Sequence, residues 1–320
     1  MLVGSCFHFL YPHIYPPFLS LHNPIPSSLS FCVASSAMDK SSTCTLFLCG
    51  KSSAETESAK SLKISNALKL PDGGEVSNLL RSEISNFQFG EEAFDVDLFI
   101  NSLSTNRFGR FLIWSPRLSS THDIVSHNFC ELPIGAVCVG DVQFKGRGRS
   151  NNAWESPRGC LMFSFTLQME DGKIVPLVQY VVSLAVTEAI KDVCNRNGFP
   201  SLDVRIKWPN DLYLKGLKVG GILCTSTYKS KKFNVSSGFQ TLEELYYRTW
   251  LHSGQRVIVQ EKNEDRFVEN VVTIQGLTSS GYLLAIGDDN QVCELHPDGN
   301  RYLALQFILL KPHCPLPPAA

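Results

Sequence analysis

FKGRGRSNNAWESPRG, residues 144–159, places two arginines between glycines and follows them with a lone tryptophan and a Ser-Pro pair. Glycine lets a backbone approach a ligand closely and lets a loop close over one. Arginine offers a planar, permanently charged fork that fits phosphate or carboxylate. Arg147 and Arg149 therefore predict a site for a ligand that brings a negative charge or gains one during a reaction. Trp154 could stack on a base or cover the pocket. A solvated basic loop and an RNA contact stay open as alternatives.

A second element is LDVRIKWPND, residues 202–211. Apolar and charged side chains alternate along it, which predicts a strand that Pro209 ends. Lys207 stands at the end of this strand between apolar neighbours, where a fixed cation in a partly dry site interacts more strongly than in water. A surface lysine on an edge strand is the alternative. Further along, KVGGIL at 218–223 combines a third cation, Lys218, with a glycine pair that predicts a backbone that packs or approaches closely.

Composition excludes some classes of protein. The 320 residues fit about two domains. The formal net charge of -1 provides no global basic field that would attract nucleic acid. The eleven cysteines are scattered without a C-x-x-C pair, which favours reduced intracellular thiols over disulfides or a zinc site.

The first 38 residues differ from the rest because they contain no Lys, Arg, Asp or Glu. Five prolines interrupt every apolar run, so we expect no membrane span: Pro12, Pro16, Pro17, Pro24 and Pro26. An acid-free, serine-rich start without arginine predicts a chloroplast transit peptide. A disordered tail and an untranslated leader remain alternatives, and a start at Met38 would give a cytoplasmic form.

Hydrophobic periodicity predicts the order of elements. Residues 43–50 are expected to form a strand ending at Gly50. Residues 52–86 give no clear pattern, and residues 93–103 are expected to form either a helix or a strand. Regular structure is expected from Phe108 onward, in this order: a strand at 110–116, a helix after an N-cap at 119–121, strands at 135–144 and 159–169, a helix at 176–197, a hairpin turning at Lys215-Gly216, a helix at 241–251, and four short strands forming a small β-barrel of about 50 residues.

The ordered set GRGR, W-x-S-P, KWPND and K-x-G-G-I-L resembles the biotin–protein ligases, also called holocarboxylase synthetases, and most of all their plant form. The resemblance covers about residues 108–300. It implies an α+β fold: a mixed, mainly antiparallel sheet flanked by helices, as in class II aminoacyl-tRNA synthetases, with a small C-terminal SH3-like β-barrel. The implied divisions are a transit peptide or disordered segment at 1–38, an N-terminal extension at 39–105, a catalytic domain at 106–250, an SH3-like domain at 251–300 and an atypical tail at 301–320.

The resemblance also implies a reaction. ATP and biotin condense to biotinyl-5′-adenylate with release of pyrophosphate, and a lysine of a carboxylase's biotin-carrier domain then attacks the activated carbonyl. Mg²⁺ is expected to carry the charge of the triphosphate, without an assigned protein ligand. No helix-turn-helix is evident before the domain, so nucleic acid is not expected as a partner. The prolines that interrupt the apolar start give no reason to expect a membrane partner either. Matching the motifs assigns catalysis to Arg147, Arg149 and Lys207, biotin binding to Ser120, Thr121, Gln143, Gly146, Arg147 and Lys207, and nucleotide binding to Arg149, Trp154, Asn210 and Lys218.

One departure from the family stands out at Gly238-Phe239. The family continues there into a Gly-x-Gly-x-Asn segment and several dozen further residues, which supply backbone contacts to biotin and part of the core. If their loss uncovers ~500 Å² of apolar surface, the cost is about 12 kcal/mol, comparable with a domain's whole stability of about 5–15 kcal/mol. A non-catalytic or unstable splice variant is therefore one alternative, and a lipoate or octanoate transferase of the same fold is another.

Overall fold

The structure, a computed structural model, describes residues 43–147, 153–156, 159–169, 172–226, 243–263, 266–296 and 304–306. The described residues fall into two compact units. The first holds the described parts of Met1–Glu170, Glu188–Ser201 and Thr225–Val235, and the second holds those of Asp171–Thr187, Leu202–Cys224 and Ser236–Ala320. The predicted transit segment at 1–38 and the departure from the family at Gly238-Phe239 lie outside the described residues.

The first unit is built on a mixed five-stranded sheet. Its strands and helices are β1 Cys44–Gly50, α1 Ser53–Ser65, β2 Val76–Leu80, a 3₁₀ turn Arg81–Asn86, α2 Val96–Ser102, β3 Phe111–Ser115, α3 Thr121–His127, β4 Val137–Gly140, β5 Gln143–Arg147, β6 Ala153–Ser156 and β7 Met162–Phe165. The sheet has the order β2-β1-β3-β4-β7, and β5 pairs with β6 in a separate ribbon. The β1-β2 and β3-β4 pairs are parallel, whereas β1-β3 and β4-β7 are antiparallel.

Residues 39–105, expected as an extension, supply β1 and β2 to this same sheet. Helix α1 packs Ala59 and Leu62 into a core that also takes Leu46 and Leu48 from β1 and Ile113 from β3. The extension is held on the sheet by this burial of apolar side chains. The helix and strand propensities of the segment alone do not account for it.

The helix starts follow local capping chemistry. Ser52 and Glu55 form a capping box at the start of α1, and the carboxylate of Asp95 accepts from the amide of Leu98 at 2.8 Å at the start of α2. Residues 93–103, left between helix and strand by their pattern, therefore contain a helix. Of the three candidate caps for α3, Ser120 occupies the position.

The predicted strand at 135–144 divides into β4 and β5. The carboxylate of Asp141 lies between them and accepts from the indole Nε1 of Trp114 at 3.0 Å and from the amide of Phe94 at 3.1 Å. The register of β4 with β3 ends at Gly140. The chain then leaves the sheet because Asp141 is tied to side chains and loops beside it.

The second unit contains two antiparallel sheets. Its elements, with the long helix α4 that begins in this unit, are a 3₁₀ turn Gly172–Leu177, α4 Val178–Arg196, β8 Val204–Lys207, β9 Asp211–Leu214, β10 Leu217–Gly221, α5 Glu243–Thr249, β11 Arg256–Asn263, β12 Arg266–Leu277, β13 Leu283–Gly287, β14 Val292–Leu295 and β15 Ala304–Gln306. The sheet orders are β10-β9-β8 and β14-β13-β12-β11-β15.

Turn chemistry in this unit agrees with the sequence. Lys215 and Gly216 have φ of 49° and 80°, as expected for the two central residues of a tight hairpin turn. Four antiparallel strands, β11 to β14, occupy the region predicted as four short strands, and their closure into an SH3-like barrel stays a prediction. Together the two units have the expected α+β architecture, with mixed and antiparallel sheets flanked by helices.

Two further observations concern the described residues alone. All eight cysteines in the described ranges are free thiols. None of the helices in the described ranges is both long and apolar enough to cross a membrane.

Candidate functional site

The residues predicted to hold biotin's ring meet at the start of α3. Ser120, the N-cap of α3, accepts a hydrogen bond from the amide of Asp123 at 3.3 Å through its hydroxyl. Thr121 follows as the first helical residue, and its hydroxyl lies 3.0 Å from that of Ser164 on β7. Ser120 and Thr121 are both buried, and their hydroxyls have hydrogen-bond partners within the protein.

Gln143, the first residue of β5, is fixed at both ends of its side-chain amide. Its Oε1 accepts from the amide of Thr121 at 2.9 Å and from the Thr121 hydroxyl at 3.4 Å. Its Nε2 donates to the hydroxyl of Ser156 at 3.3 Å. Since one end accepts and the other donates, the amide has a defined orientation.

Gly146 lies against this amide. A Cβ at this position would stand 2.6 Å from Nε2 of Gln143 and 2.8 Å from the carbonyl oxygen of Trp154. No real Cβ makes contacts this short, so a side chain here would displace the amide or the β5-β6 ribbon. The bare backbone predicted from the sequence is therefore needed for packing inside the protein.

The structure describes the other predicted site residues of the stretch 144–159 only in part. Arg147 is the last residue of β5 and pairs with Ala153 on β6, and its side chain lies outside the description. Trp154 is half-buried on β6 and pairs with Gly146. Arg149 lies outside the described residues.

The predicted lysine site belongs to the second unit. Lys207 ends β8, on the half-exposed side of the strand, while Val204 and Ile206 are buried on the other. Its Nζ lies 5.5 Å from the ring centroid of Tyr213 on β9, a cation–π distance. The predicted alternation of buried and half-exposed side chains along this strand is thus confirmed, and Lys207 is the last residue of the strand.

Asn210 follows in the turn after β8. Its side-chain Nδ2 donates to the carbonyl of Ile222, and its own carbonyl accepts from the amide of Ile222 at 2.8 Å. Asn210 is 6% exposed, and its Oδ1 is buried without a hydrogen-bond partner among the residues that the structure describes. A buried acceptor of this kind is uncommon in proteins and fits a ligand that brings a donor.

Lys218, on β10, forms an ion pair with Asp211 on β9, with Nζ and Oδ1 2.7 Å apart. The glycine pair that follows it was predicted to pack closely. At Gly220, however, a Cβ would find its nearest neighbour 3.5 Å away, which is an ordinary contact. Packing against Leu212 therefore does not require a glycine at position 220, and a close approach of this backbone to a ligand stays a prediction.

Sequence reasoning missed three side chains that support these residues. Ser156 and Ser164 hold Gln143 and Thr121, and His252, in the stretch WLHSGQ, accepts from the backbone amide of Trp208 at 3.0 Å. Ser156 belongs to the Ser-Pro pair of the stretch 144–159, and it stands opposite Gln143 in the β5-β6 ribbon. Nothing in the local pattern marks His252.

Comparison with known proteins places the chain in a family. The Biotin/lipoate A/B protein ligase family matches residues 114–241. Biotin--protein ligase 1, chloroplastic, of Arabidopsis thaliana is 59% identical over 327 residues, covering 86% of this chain and 89% of the relative. Biotin--protein ligase 2 of the same plant is 58% identical, covering 83% and 97%. A biotin protein ligase from Aquifex aeolicus, solved with biotin and ATP, covers 61% of this chain and 98% of its own at 19% identity, with a TM-score of 0.42.

The Arabidopsis alignment is longer than the chain. It runs over 327 residues, although it covers only 86% of a chain of 320 residues. The relative therefore contains residues that have no counterpart here, and a missing segment after Gly238 stays a prediction. Identity of this level across most of both chains, together with the ordered motifs, shows that the chain belongs to the biotin–protein ligase family.

Proposed function

We propose that the chain joins biotin to a lysine of a biotin-carrier domain of carboxylases, by way of biotinyl-5′-AMP and at the expense of ATP. The observation that carries the proposal is the joined set of Thr121, Gln143 and Gly146, in which an amide of fixed orientation lies against a glycine that has no room for a side chain. The plant relatives named as biotin--protein ligases support the choice of reaction.

In the first step an oxygen of the biotin carboxylate attacks the α-phosphorus of ATP. The bond from that phosphorus to the bridging oxygen breaks, and pyrophosphate leaves. In the second step the amine of the carrier lysine attacks the acyl carbonyl, the bond to AMP breaks, and the nitrogen loses a proton. Both steps develop negative charge on phosphate oxygens, which fixed cations stabilise. Lys207, Arg147 and Arg149 are the cations that we assign to this role.

Hydroxyl and amide groups suit the cyclic urea of biotin, which offers two N–H donors and one carbonyl acceptor. Ser120, Thr121 and Gln143 provide such groups, and their hydrogen bonds to the protein hold them in position before biotin arrives. Preorganised partners of this kind lower the entropy cost of binding.

The nucleotide is assigned to Asn210, Lys218, Trp154 and Arg149. The buried Oδ1 of Asn210 suits a donor such as an adenine amino group, and Lys218 offers a cation for phosphate. Trp154, half-buried on β6, offers an aromatic face. Mg²⁺ would reach the site with the triphosphate, whose charge it carries.

We further propose that the chain acts in the chloroplast, with a cytoplasmic form if translation starts at Met38. The chloroplastic relative supports the first location. The domain divisions at 1–38, 39–105, 106–250, 251–300 and 301–320 also stay proposals, and neither nucleic acid nor membrane is proposed as a partner.

A second candidate is a folded but non-catalytic member of the family. The residues that the Arabidopsis relative has and this chain lacks favour it. The missing segment was predicted to supply contacts to biotin, so its loss would abolish catalysis first.

Calorimetry with biotin, with and without ATP, and pyrophosphate release measured on the full chain test the two candidates. Tight biotin binding, pyrophosphate release and transfer to a recombinant carrier domain support the ligase. Cooperative unfolding without biotin binding supports the non-catalytic form. Transfer of lipoate or octanoate instead of biotin would identify the chain as a lipoate or octanoate transferase, the other alternative for this fold.

Matched lysine variants sharpen the test. Lys207→Gln should lower adenylate formation at least tenfold, because a fixed cation is lost. Lys215→Gln removes an exposed lysine at the hairpin turn between β9 and β10 and should leave it unchanged. Equal activities for the two variants would remove Lys207 from the proposed chemistry.

A further inference from the structure

The peptide groups on both sides of Lys207 are held by one segment of the chain. The carbonyl of Ile206 accepts from the amide of Leu251 at 2.9 Å. The amide of Trp208 donates to Nε2 of His252 at 3.0 Å. Leu251 and His252 lie between α5 and β11, in the stretch WLHSGQ, so neighbouring residues bind the strand just before and just after the lysine.

The same segment is tied to the C-terminal sheet. Nδ1 of His252 lies 2.7 Å from Oε1 of Gln255. The carbonyl of Gln255 accepts from the amide of Ile274 on β12 at 2.9 Å, and the amide of Gly254 donates to the carbonyl of Ile274 at 3.0 Å. A continuous chain of hydrogen bonds therefore runs from β12 through His252 to the peptide that follows Lys207.

These contacts fix the tautomer of His252. Its Nε2 accepts a proton from a backbone amide and must itself carry none, so the proton of the neutral ring is on Nδ1, where it is donated to the Gln255 oxygen. A protonated ring would turn Nε2 into a donor facing another donor. The ring is 2% exposed, so water cannot replace the lost bond.

We propose that His252, as the neutral Nδ1–H tautomer, is the positioning residue of Lys207, and that protonation of its ring releases the peptide between Lys207 and Trp208. The role given to Lys207 rests on the proposed function. The anchoring of the peptide does not, because it is a property of the folded chain.

The surroundings of the ring keep it neutral. Burial lowers the pKa of His252 below its usual 6.5. The hydrogen bond to Gln255 raises the pKa, and the charge of Lys207 on β8 lowers it, so the net shift is downward. Of the other groups that contact the ring, the indole of Trp250 packs edge-on at a centroid distance of 5.5 Å and does not titrate. Release is therefore expected only at a pH below 6.5.

Two variants separate an anchoring role from a purely structural one. His252→Gln can keep a neutral acceptor near the position of Nε2 at every pH, whereas His252→Phe keeps an aromatic ring and removes the acceptor. His127→Gln, at an exposed histidine near the end of α3, is the matched control.

The first measurement needs no activity. Labelling the four tryptophans with ¹⁵N gives four backbone amide signals, of which Trp208 should be strongly protected from exchange at pH 7.5. We expect that protection to fall at least tenfold in His252→Phe. In the wild type it should fall as the pH is lowered below 6.5, and in His252→Gln it should persist. An Nε2–H tautomer in ¹⁵N-histidine spectra, or protection that is unchanged in His252→Phe, would overturn the proposal.

Activity adds the second measurement. The wild type and His127→Gln should show an acid limb in kcat for adenylate formation that is absent from His252→Gln, and His252→Phe should lose at least tenfold in kcat with little change in the KM for biotin. An acid limb that persists in His252→Gln contradicts the positioning role. If the folded wild type forms no adenylate, the ligase proposal fails, while amide exchange still decides whether His252 holds the peptide.

Discussion

The indole N–H of Trp208 donates to the phenol oxygen of Tyr180, with Nε1 and the oxygen 2.9 Å apart. The same indole nitrogen lies 3.3 Å from the carbonyl of Gly281, to which the Tyr180 hydroxyl also donates. All these atoms are buried, and Trp208 directly follows Lys207. The lysine is thus followed by a tryptophan that the protein holds by its backbone and by its ring.

Replacing Tyr180 with Phe removes the better acceptor of the Trp208 indole. The variant also removes the hydrogen bond that the Tyr180 hydroxyl donates to the Gly281 carbonyl. That carbonyl remains as an acceptor for the indole, so we expect a loss of about 1–3 kcal/mol in the free energy of unfolding for the two buried hydrogen bonds. Urea denaturation should show a lower midpoint with an unchanged m-value. Tyr282→Phe, at a half-buried tyrosine of the same unit, should change the free energy by less than about 0.5 kcal/mol. Equal effects of the two variants would show that the Tyr180–Trp208 bond contributes nothing.

Gly146→Ala tests the packing against Gln143. The new Cβ would stand 2.6 Å from Nε2 of Gln143, so the amide must rotate or the ribbon must open. We expect biotin affinity, measured by calorimetry, to fall at least tenfold, because a displaced amide no longer presents its donor and acceptor in place. Gly220→Ala, where the nearest atom would be 3.5 Å away, is the matched control. Unchanged affinity in both variants would remove Gln143 from the biotin site.

The sequence predicts those features that depend on near neighbours. The alternation before Pro209 placed Val204 and Ile206 in the core, because successive residues of a strand point to opposite faces. Lys215-Gly216 predicted a turn, because the tight hairpin needs positive φ at both positions. Neither inference requires knowledge of any distant segment.

The supporting contacts depend on distant residues. The partners of Trp208 are Tyr180, 28 residues earlier, and His252, 44 residues later. Such pairs are set by how elements pack, and a single sequence carries no local signal for them. For the same reason residues 52–86 gave no clear pattern, although they contain α1 and β2, which are stabilised by burial against β1 and β3.

Glu55 gives the first unit a dependence on acid. Burial opposes its ionisation, but hydrogen bonds from Ser52 and from Arg110, whose Nε lies 2.8 Å from Oε1, outweigh this and lower the pKa to about 2. A lowered pKa in the folded state means that the stabilisation is complete above the usual value of 4.5 and is lost as the pH falls from there toward 2.

Glu55→Gln should therefore lower the free energy of unfolding by about 1 kcal/mol at pH 7, measured by urea denaturation. The difference from the wild type should shrink as the pH falls below 4.5. Glu57→Gln, at a carboxylate that is 69% exposed and paired with Lys60, serves as the control and should show little effect at any pH. A difference between wild type and Glu55→Gln that does not change with pH would mean that the charge of Glu55 is not responsible.

Asp211→Asn tests whether Lys218 serves the nucleotide. The carboxylate of Asp211 lies 2.7 Å from Nζ of Lys218 and neutralises part of its field. Partly exposed ion pairs contribute about 0–1 kcal/mol, so removing the carboxylate should tighten ATP binding about two- to fivefold, and the gain should diminish at high salt. Calorimetry at two ionic strengths measures this, with Asp203→Asn, at the exposed partner of Arg205, as the control. Weaker ATP binding in Asp211→Asn would instead show that the carboxylate holds Lys218 in its productive position.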